Sequence, residues 1–304
     1  MAAHAALCGS GFSRDAFVAV LEKASRLKPL LQEKYFPPRC LGIVLALLCA
    51  APFATASEFP RQVSQGALVI GKVTPDSVVR HANRDLLVTA KGEVVFGVGR
   101  DETGPVTVDV REHNGQLEHI VIEVNPRDWP IERVDGVPPK TVEPPPDIAA
   151  RIKREQARVV AARLRDDARD DFLEAFAWPV TGRISGRFGS QRVYNGIPKS
   201  PHPGMDIAVP QGTPVKAPAS GIVTFADADL YLTGGTVLLD HGHGVSSNFL
   251  HMSRIDVKVG DHIDQGQVIG AVGMTGRATG PHLHWGMNWF DVRLDPLLLV
   301  APQP

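Results

Sequence analysis

The stretch that most constrains the fold is the run Gly-Pro-His-Leu-His-Trp at residues 280–285. If this run is a β-strand, neighbouring side chains point to opposite faces, so His282 and His284 share one face while Leu283 points into the core. Two imidazoles side by side on a sheet face are unfavourable unless something binds them. An isolated His-x-His is short, however, and is more often a pair of histidines on a solvated strand. The meaning of the pair therefore depends on the rest of the chain.

A second motif, Pro-His-Pro-Gly-Met-Asp, lies upstream at residues 201–206. Pro203 and Gly204 argue against a helix, and in an extended segment His202 and Asp206 lie on one face. With one histidine of the downstream pair they would supply two nitrogens and one carboxylate oxygen, the ligand count of a catalytic zinc site with one position open to water. A structural zinc site needs four ligands, usually thiolates, and no cysteine lies near either motif. We therefore predict one zinc ion per chain.

The composition is that of an ordinary globular protein. The chain has 304 residues, of which 43% are hydrophobic and 21% charged, and its formal net charge is -1. This length accommodates two domains. The near-zero net charge gives no indication of nucleic acid as a partner.

Residues 1–56 are predicted to be a signal peptide with an N-terminal extension. Arg39 precedes an apolar run at residues 40–51, and a small-residue cleavage site ends at Ala56. The run is too short to span a bilayer, and the alternative is a buried core helix. Cleavage would remove all the cysteines of the chain, which are Cys8, Cys40 and Cys49. We therefore predict an exported, periplasmic protein with no disulfide and no stable membrane span after cleavage.

The remainder of the chain is predicted to be mainly β and to divide into three parts. Residues 57–136 contain short β-branched runs and an Asn-Gly turn, which predict a small β-sandwich-like domain. Residues 137–177 start proline-rich and continue as a charged helix or helix pair from Asp147 to about Phe176. The narrow apolar stripe of this linker would offer a docking site to a regulatory protein or a coiled-coil partner. Residues 178–304 have short strands separated by glycine turns, typical of a compact, mainly antiparallel sheet.

Three of the four further histidines in this last part bear on the prediction of the site. His241 and His243 form a second His-x-His in the glycine-rich turn at residues 240–244, and we predict that they are exposed at a hairpin tip and bind no metal. His251 ends a predicted strand. Beside a zinc site it would position or deprotonate a water molecule, or stabilise an oxyanion.

The C-terminal part, residues 178–299, resembles the M23 (LytM-type, lysostaphin-like) zinc metallopeptidases, which cut peptide bridges in bacterial peptidoglycan. Three motifs appear in the family's order: His-Pro-Gly-Met-Asp at residues 202–206, Phe-Leu-His-Met at residues 249–252 and His-Leu-His at residues 282–284. The resemblance implies two sets of residues, the zinc ligands His202, Asp206 and His284 and the catalytic pair His251 and His282. It also implies a LytM-type antiparallel sheet.

The function implied by this resemblance is an exported zinc endopeptidase that acts on peptidoglycan peptide stems. No Glu follows a ligand histidine as in a His-Glu-x-x-His helix, so proton transfer would fall to His251 and His282. Phe249 and Met252 replace the Tyr and Leu usual in the family, and neither change removes a ligand or a base. No glycine-bridge targeting domain is recognisable, which favours a D-alanyl–diaminopimelate cross-link over an oligoglycine bridge.

Two other classes of protein share features with this sequence. Non-catalytic LytM-like proteins bind peptidoglycan and activate other cell-wall hydrolases, but they typically lack some of the five site residues, and here all five are present. Residues 259–268 resemble the hammerhead strands of biotinyl and lipoyl carriers, which need a modifiable lysine at a hairpin tip. No lysine lies at such a tip in this sequence, so the similarity indicates only a shared sheet architecture.

Overall fold

The structure is a computed structural model of the chain, and it describes residues 57–137 and 142–303. The predicted signal peptide and all the cysteines lie outside the described residues. The described part belongs to one compact unit and is built mainly of strands, so the predicted fold class is confirmed. No helix in it combines the length and apolar character needed to cross a membrane.

The first part of the chain forms two small sheets. Its strands are β1 (Gln62–Ser64), β2 (Leu68–Lys72), β3 (Val78–His81), β4 (Arg84–Leu86), β5 (Glu93–Gly97), β6 (Val106–Arg111) and β7 (Leu117–Asn125). One sheet has the order β1-β7-β6-β3-β4, and β2 pairs with β5 in the other. The β6–β7 hairpin turns at the predicted Asn-Gly pair, where Gly115 has a φ of 87° and Asn114 accepts a hydrogen bond from the Gln116 amide.

A single α-helix, α1 (Pro146–Ala162), follows in the part of the chain that the structure describes. The prediction that the helix continues to about Phe176 is wrong, because α1 ends at Ala162 and Arg163 is its C-cap. Several aspartates follow this end, where negative charge is unfavourable for the helix dipole. Asp167 pairs with Arg165, and Asp171 pairs with Arg169. The segment then runs extended into a 3-10 turn, Asp171–Leu173.

The C-terminal part is dominated by one large sheet. The remaining strands are β8 (Ile131–Val134), β9 (Arg183–Gly186), β10 (Gln191–Tyr194), β11 (Ile197–Pro198), β12 (Met205–Ala208), β13 (Pro214–Lys216), β14 (Gly221–Leu230), β15 (Gly234–Asp240), β16 (Val245–Met252), β17 (Arg254–Ile255), β18 (His262–Ile263), β19 (Val268–Ala271), β20 (Leu283–Trp289) and β21 (Val292–Leu294), and a 3-10 turn spans Pro296–Leu298. Eight of them form a sheet of order β18-β14-β15-β16-β20-β12-β9, with β21 also paired to β20. All pairs in this sheet are antiparallel, as predicted.

Strand β20 places alternate side chains on the two faces of this sheet. Leu283, Trp285 and Met287 are fully buried on one side, in the same hydrophobic core that contains Phe96 of β5. Because side chains alternate along a strand, His284 lies on the opposite side, as the sequence predicted. The first part of the chain therefore shares a core with the large sheet, and the domain boundaries drawn from the sequence stay predictions.

Candidate active site

Three neighbouring strands assemble the site. Asp206 of β12 lies directly opposite His284 of β20, and His284 lies opposite Leu250 of β16 on its other side. His251 follows Leu250 in the chain, and His282 immediately precedes β20. Positions far apart in the sequence are thus brought side by side by strand register alone.

The side chains of His202, Asp206 and His284 converge on one point. Nε2 of His202 lies 3.0 Å from Nδ1 of His284 and 3.0 Å from Oδ1 of Asp206, and Nδ1 of His284 lies 2.8 Å from the same oxygen. Ligands about 2.1 Å from a tetrahedral zinc ion are about 3.4 Å apart. The three atoms are slightly closer than this, so a small outward adjustment would place them around a zinc ion.

Further contacts hold these donors in place. Nδ1 of His202 donates a hydrogen bond to the backbone oxygen of Arg187 at 3.1 Å, which fixes the ring with Nε2 facing the cluster. Oδ2 of Asp206 accepts a hydrogen bond from Nη2 of Arg192 at 2.8 Å, so Oδ1 remains available. Nearby backbone and side-chain groups thus fix the orientation of both side chains.

Burial sets the charge of the cluster. Burial raises the pKa of Asp206, but hydrogen bonds with His202 and His284 outweigh this effect and hold the pKa well below its usual value of 3.8. Burial lowers the pKa of His284 to about 3, although contact with Asp206 opposes the shift. The cluster therefore contains a buried carboxylate hydrogen-bonded to two imidazole rings. Loss of the ring protons that face the carboxylate would leave two nitrogens and one oxygen, a donor set that fits a divalent zinc ion.

Two more histidines lie next to this cluster. The rings of His251 and His282 are 4.8 Å apart between centroids, and His251 is 6.4 Å from the ring of His284. Nδ1 of His251 donates to the backbone oxygen of Thr275 and Nδ1 of His282 to that of Gly280, each at 2.8 Å. In the neutral form of either ring, Nε2 is therefore the atom that can accept a proton.

His251 also has an unusual backbone. Its φ of 63° is left-handed, which is costly for a residue with a side chain and recurs at functional sites. Burial lowers its pKa to about 4, with the neighbouring His282 acting in the same direction. His251 is thus neutral at neutral pH.

The structure corrects the prediction for His241 and His243. Both are buried, with 0% and 3% of their surface exposed, and the prediction of an exposed hairpin tip is wrong. The extended segment after α1 covers the turn, where the Asp167 oxygen accepts from the His243 amide and the Phe172 ring packs 4.8 Å from the His243 ring. Neither histidine belongs to the three-residue cluster that could hold a metal.

The contacts of Arg192 and Thr275 with the site were not foreseen. Each acts through a neighbour, Arg192 on Asp206 and the Thr275 backbone on His251. A backbone oxygen leaves no mark in the sequence. The chain contains many acidic residues, so the partner of Arg192 cannot be identified without the tertiary fold.

An antiparallel sheet that brings two histidines and a carboxylate to one point, with two more histidines beside them, has the arrangement of a metal-dependent hydrolase. The profile of peptidase family M23 matches residues 200–296. A solved Pseudomonas aeruginosa protein assigned to peptidase M23 is 32% identical, and the match covers 79% of this chain and 96% of that one with a TM-score of 0.62. The chain belongs to peptidase family M23.

Curated relatives match over the same part. The peptidoglycan DD-endopeptidase ShyA of Vibrio cholerae is 40% identical over 120 residues, which are 38% of this chain and 28% of that protein. The DD-carboxypeptidase/endopeptidase Mpg of Neisseria meningitidis is 40% identical over 103 residues, 34% of this chain and 24% of that protein. The chain therefore spans only about a quarter of the length of these relatives.

Proposed function

We propose that the protein is an exported zinc-dependent endopeptidase that hydrolyses peptide cross-links of bacterial peptidoglycan. The observation that carries the proposal is the convergence of His202, Asp206 and His284 within 3.0 Å, with His251 and His282 beside them. Membership of family M23, and relatives named as peptidoglycan DD-endopeptidases, support the substrate class.

The zinc ligands in this proposal are Nε2 of His202, Oδ1 of Asp206 and Nδ1 of His284. When bound, zinc would supply a Lewis acid that polarises the scissile carbonyl and lowers the pKa of a water molecule. Asp206 offsets part of the ion's charge, and Arg192 keeps the carboxylate oriented. One ion per chain is expected.

His251 and His282 would transfer the protons. Each ring is fixed by a backbone carbonyl at Nδ1 and presents Nε2 as a base. One of them would take a proton from the attacking water, and the protonated ring would then stabilise the tetrahedral oxyanion or return the proton to the leaving amine. Their separation of 4.8 Å lets both serve one scissile bond.

The presence of all five residues supports an enzyme over a non-catalytic activator of other hydrolases. Within the described residues, no site residue is directed away from the cluster by a competing partner. Among possible substrates we favour the cross-link between D-alanine and diaminopimelate, as the names of the DD-endopeptidase relatives suggest.

Digestion of purified sacculi would test this function. The metal-loaded protein should release cross-link-cleaved muropeptides, identified by mass, and a chelator should abolish the release. A protein that binds sacculi but releases nothing would instead support the activator. Export is tested separately: a fusion of residues 1–60 to a reporter active only outside the cytoplasm should give a signal, and the mature chain should begin at Ser57.

A further inference from the structure

A second polar cluster lies in the same cleft as the candidate zinc site. The cleft has a volume of about 960 Å³ and is lined by His202, His251 and His284 and also by Arg163 and Arg293. Arg163 caps the end of α1, and Arg293 lies on β21. Neither arginine has a role in the proposed hydrolysis.

The two arginines are close enough to repel each other. Among the described residues, no Asp or Glu oxygen lies within salt-bridge distance of either guanidinium. Burial lowers the pKa of Arg163 to about 9, and the charge of Arg293 adds to the effect. Burial likewise lowers the pKa of Arg293. An arginine pair with these properties is normally stabilised by an anion, because buried charges are paired.

Hydrogen-bond donors at this position lack acceptors. Nε of Arg163 is buried, and no acceptor for it lies in the described part of the chain. Arg293 has one side-chain bond, from Nη1 to Oδ1 of Asn288 at 3.1 Å, and Asn248 donates to the same oxygen at 3.1 Å. The amide nitrogen of Asn288 is therefore turned away from these donors, and it too is buried with no acceptor among those residues.

Strand geometry relates this cluster to the candidate zinc site. Asn288 and His284 point to the same face of β20 because they are four residues apart, and that distance along a strand is about 13 Å. The same length of extended peptide contains about four residues. A peptide held with one bond at the zinc site could therefore place an acidic group at Arg163 and Arg293.

We propose that Arg163 and Arg293 form a carboxylate-binding subsite of the cleft, which takes an acidic group of the peptide whose scissile bond lies at the candidate zinc site. The proposal rests on the proposed function for the identity of the peptide. The planar guanidinium groups would bind the carboxylate in bidentate fashion. The carboxylate would supply the counter-charge that the described chain does not.

The test measures binding rather than turnover. The probes are the uncross-linked stem tetrapeptide, which carries free carboxylates, the same peptide with every carboxyl group amidated, and inorganic phosphate. Affinities are measured by calorimetry on the metal-loaded full chain and on Arg163→Gln, Arg293→Gln and Arg293→Lys. Arg158→Gln is the matched control, because Arg158 lies on the same helix but is already paired with Asp227 at 2.9 Å.

We expect amidation to weaken binding to the wild type by about tenfold or more, the usual effect of losing a charge-assisted bond. Arg163→Gln and Arg293→Gln should weaken binding of the acidic peptide to a similar degree and leave the amidated peptide unaffected. Arg293→Lys should keep part of the affinity, and Arg158→Gln all of it. The unfolding midpoint of Arg163→Gln should be no lower than that of the wild type, because no internal salt bridge is lost.

Three results would overturn the subsite: equal binding of acidic and amidated peptides, full affinity in both glutamine variants, or a large drop in their unfolding midpoints. Phosphate binding that depends on the arginines, without any preference for the acidic peptide, would identify a small-anion site and contradict the peptide assignment. Arginine-dependent peptide binding in a protein that leaves sacculi intact would support the subsite and refute the endopeptidase. If the protein cleaves sacculi and both glutamine variants bind the acidic peptide as the wild type does, the endopeptidase is supported and the subsite is refuted.

Discussion

Asp206 and His284 face each other across strands β12 and β20, and their side chains meet at 2.8 Å between Oδ1 and Nδ1. This cross-strand pair is the base of the candidate zinc site, and His202 completes it from the chain segment just before β12. Because both partners stand on paired strands, the backbone ladder fixes their separation. The site is therefore as rigid as the sheet that carries it.

The first prediction separates metal binding from proton transfer. His284→Ala should lose both zinc and endopeptidase activity, because Nδ1 of His284 belongs to the converging donor set. His282→Ala should keep zinc and lose activity by about 100- to 10,000-fold, the usual effect of removing a general acid–base group. Zinc stoichiometry by metal analysis and digestion of sacculi would be measured on both variants. Loss of zinc from His282→Ala would contradict this division of roles.

The second prediction concerns the joint action of His251 and His282. Because the two rings lie 4.8 Å apart and would serve one proton-transfer sequence, their contributions should not add. We expect His251→Ala and the double variant with His282→Ala to have similar residual activity, and both should retain zinc. Rates of digestion of purified sacculi by the wild type, the two single variants and the double variant would be compared as a double-mutant cycle. Fully multiplicative losses would show that the histidines act independently.

The alternation of side chains between the two faces of a strand predicts the central features of this fold and site. A His-x-His on a strand must place both rings on one face with Leu283 in the core, and the structure has Leu283 fully buried and both histidines at the cluster. Short glycine-punctuated runs likewise predict the antiparallel sheet. These features depend on neighbours in the sequence, so the sequence alone carries them.

Features that depend on distant segments were not predicted. The turn at His241 has the glycine-rich sequence of an exposed tip, but the segment after α1 covers it, and Phe172 of that segment is buried. The charged residues after α1 suggested a longer helix. In the structure they form ion pairs with one another and with Asp240. The pairing of Arg192 with Asp206 and the proximity of Arg163 to Arg293 also require the tertiary fold.

The third prediction concerns Gly204, which lies between the proposed zinc ligands His202 and Asp206. A Cβ at this position would lie 2.5 Å from the backbone oxygen of Trp285 and 2.7 Å from Nε2 of His284. Gly204→Ala should therefore displace β20 and the His284 ring, lowering the free energy of unfolding by about 1–3 kcal/mol and weakening zinc binding. Chemical denaturation and zinc titration would measure the two effects.

Gly104→Ala is the control for this substitution, because a Cβ there would have no neighbour within 4 Å. It should leave both zinc affinity and stability close to those of the wild type. A Gly204→Ala protein with wild-type zinc affinity would show that the sheet accommodates the methyl group without moving His284.

The last prediction concerns the pH dependence of stability and the buried His241. Nδ1 of His241 donates to the Ser220 backbone oxygen at 2.7 Å, and Nε2 accepts from the Ser247 hydroxyl at 2.8 Å, so the ring is neutral. Burial lowers its pKa from 6.5 to about 4, an effect that the nearby charge of Arg169 reinforces. The unfolded chain therefore binds a proton more readily, and stability is lost as the pH falls from 6.5 towards 4.

Between pH 7 and pH 5 this histidine should account for a loss of about 2 kcal/mol in the free energy of unfolding. His241→Gln removes the titrating group, so its stability should fall less than that of the wild type over this range. Asp240, whose pKa burial raises to about 6, titrates in the same range but is present in both proteins, so its contribution cancels in the comparison. Equal slopes for the wild type and His241→Gln, measured by urea denaturation at both pH values, would show that His241 does not govern the acid sensitivity of the fold.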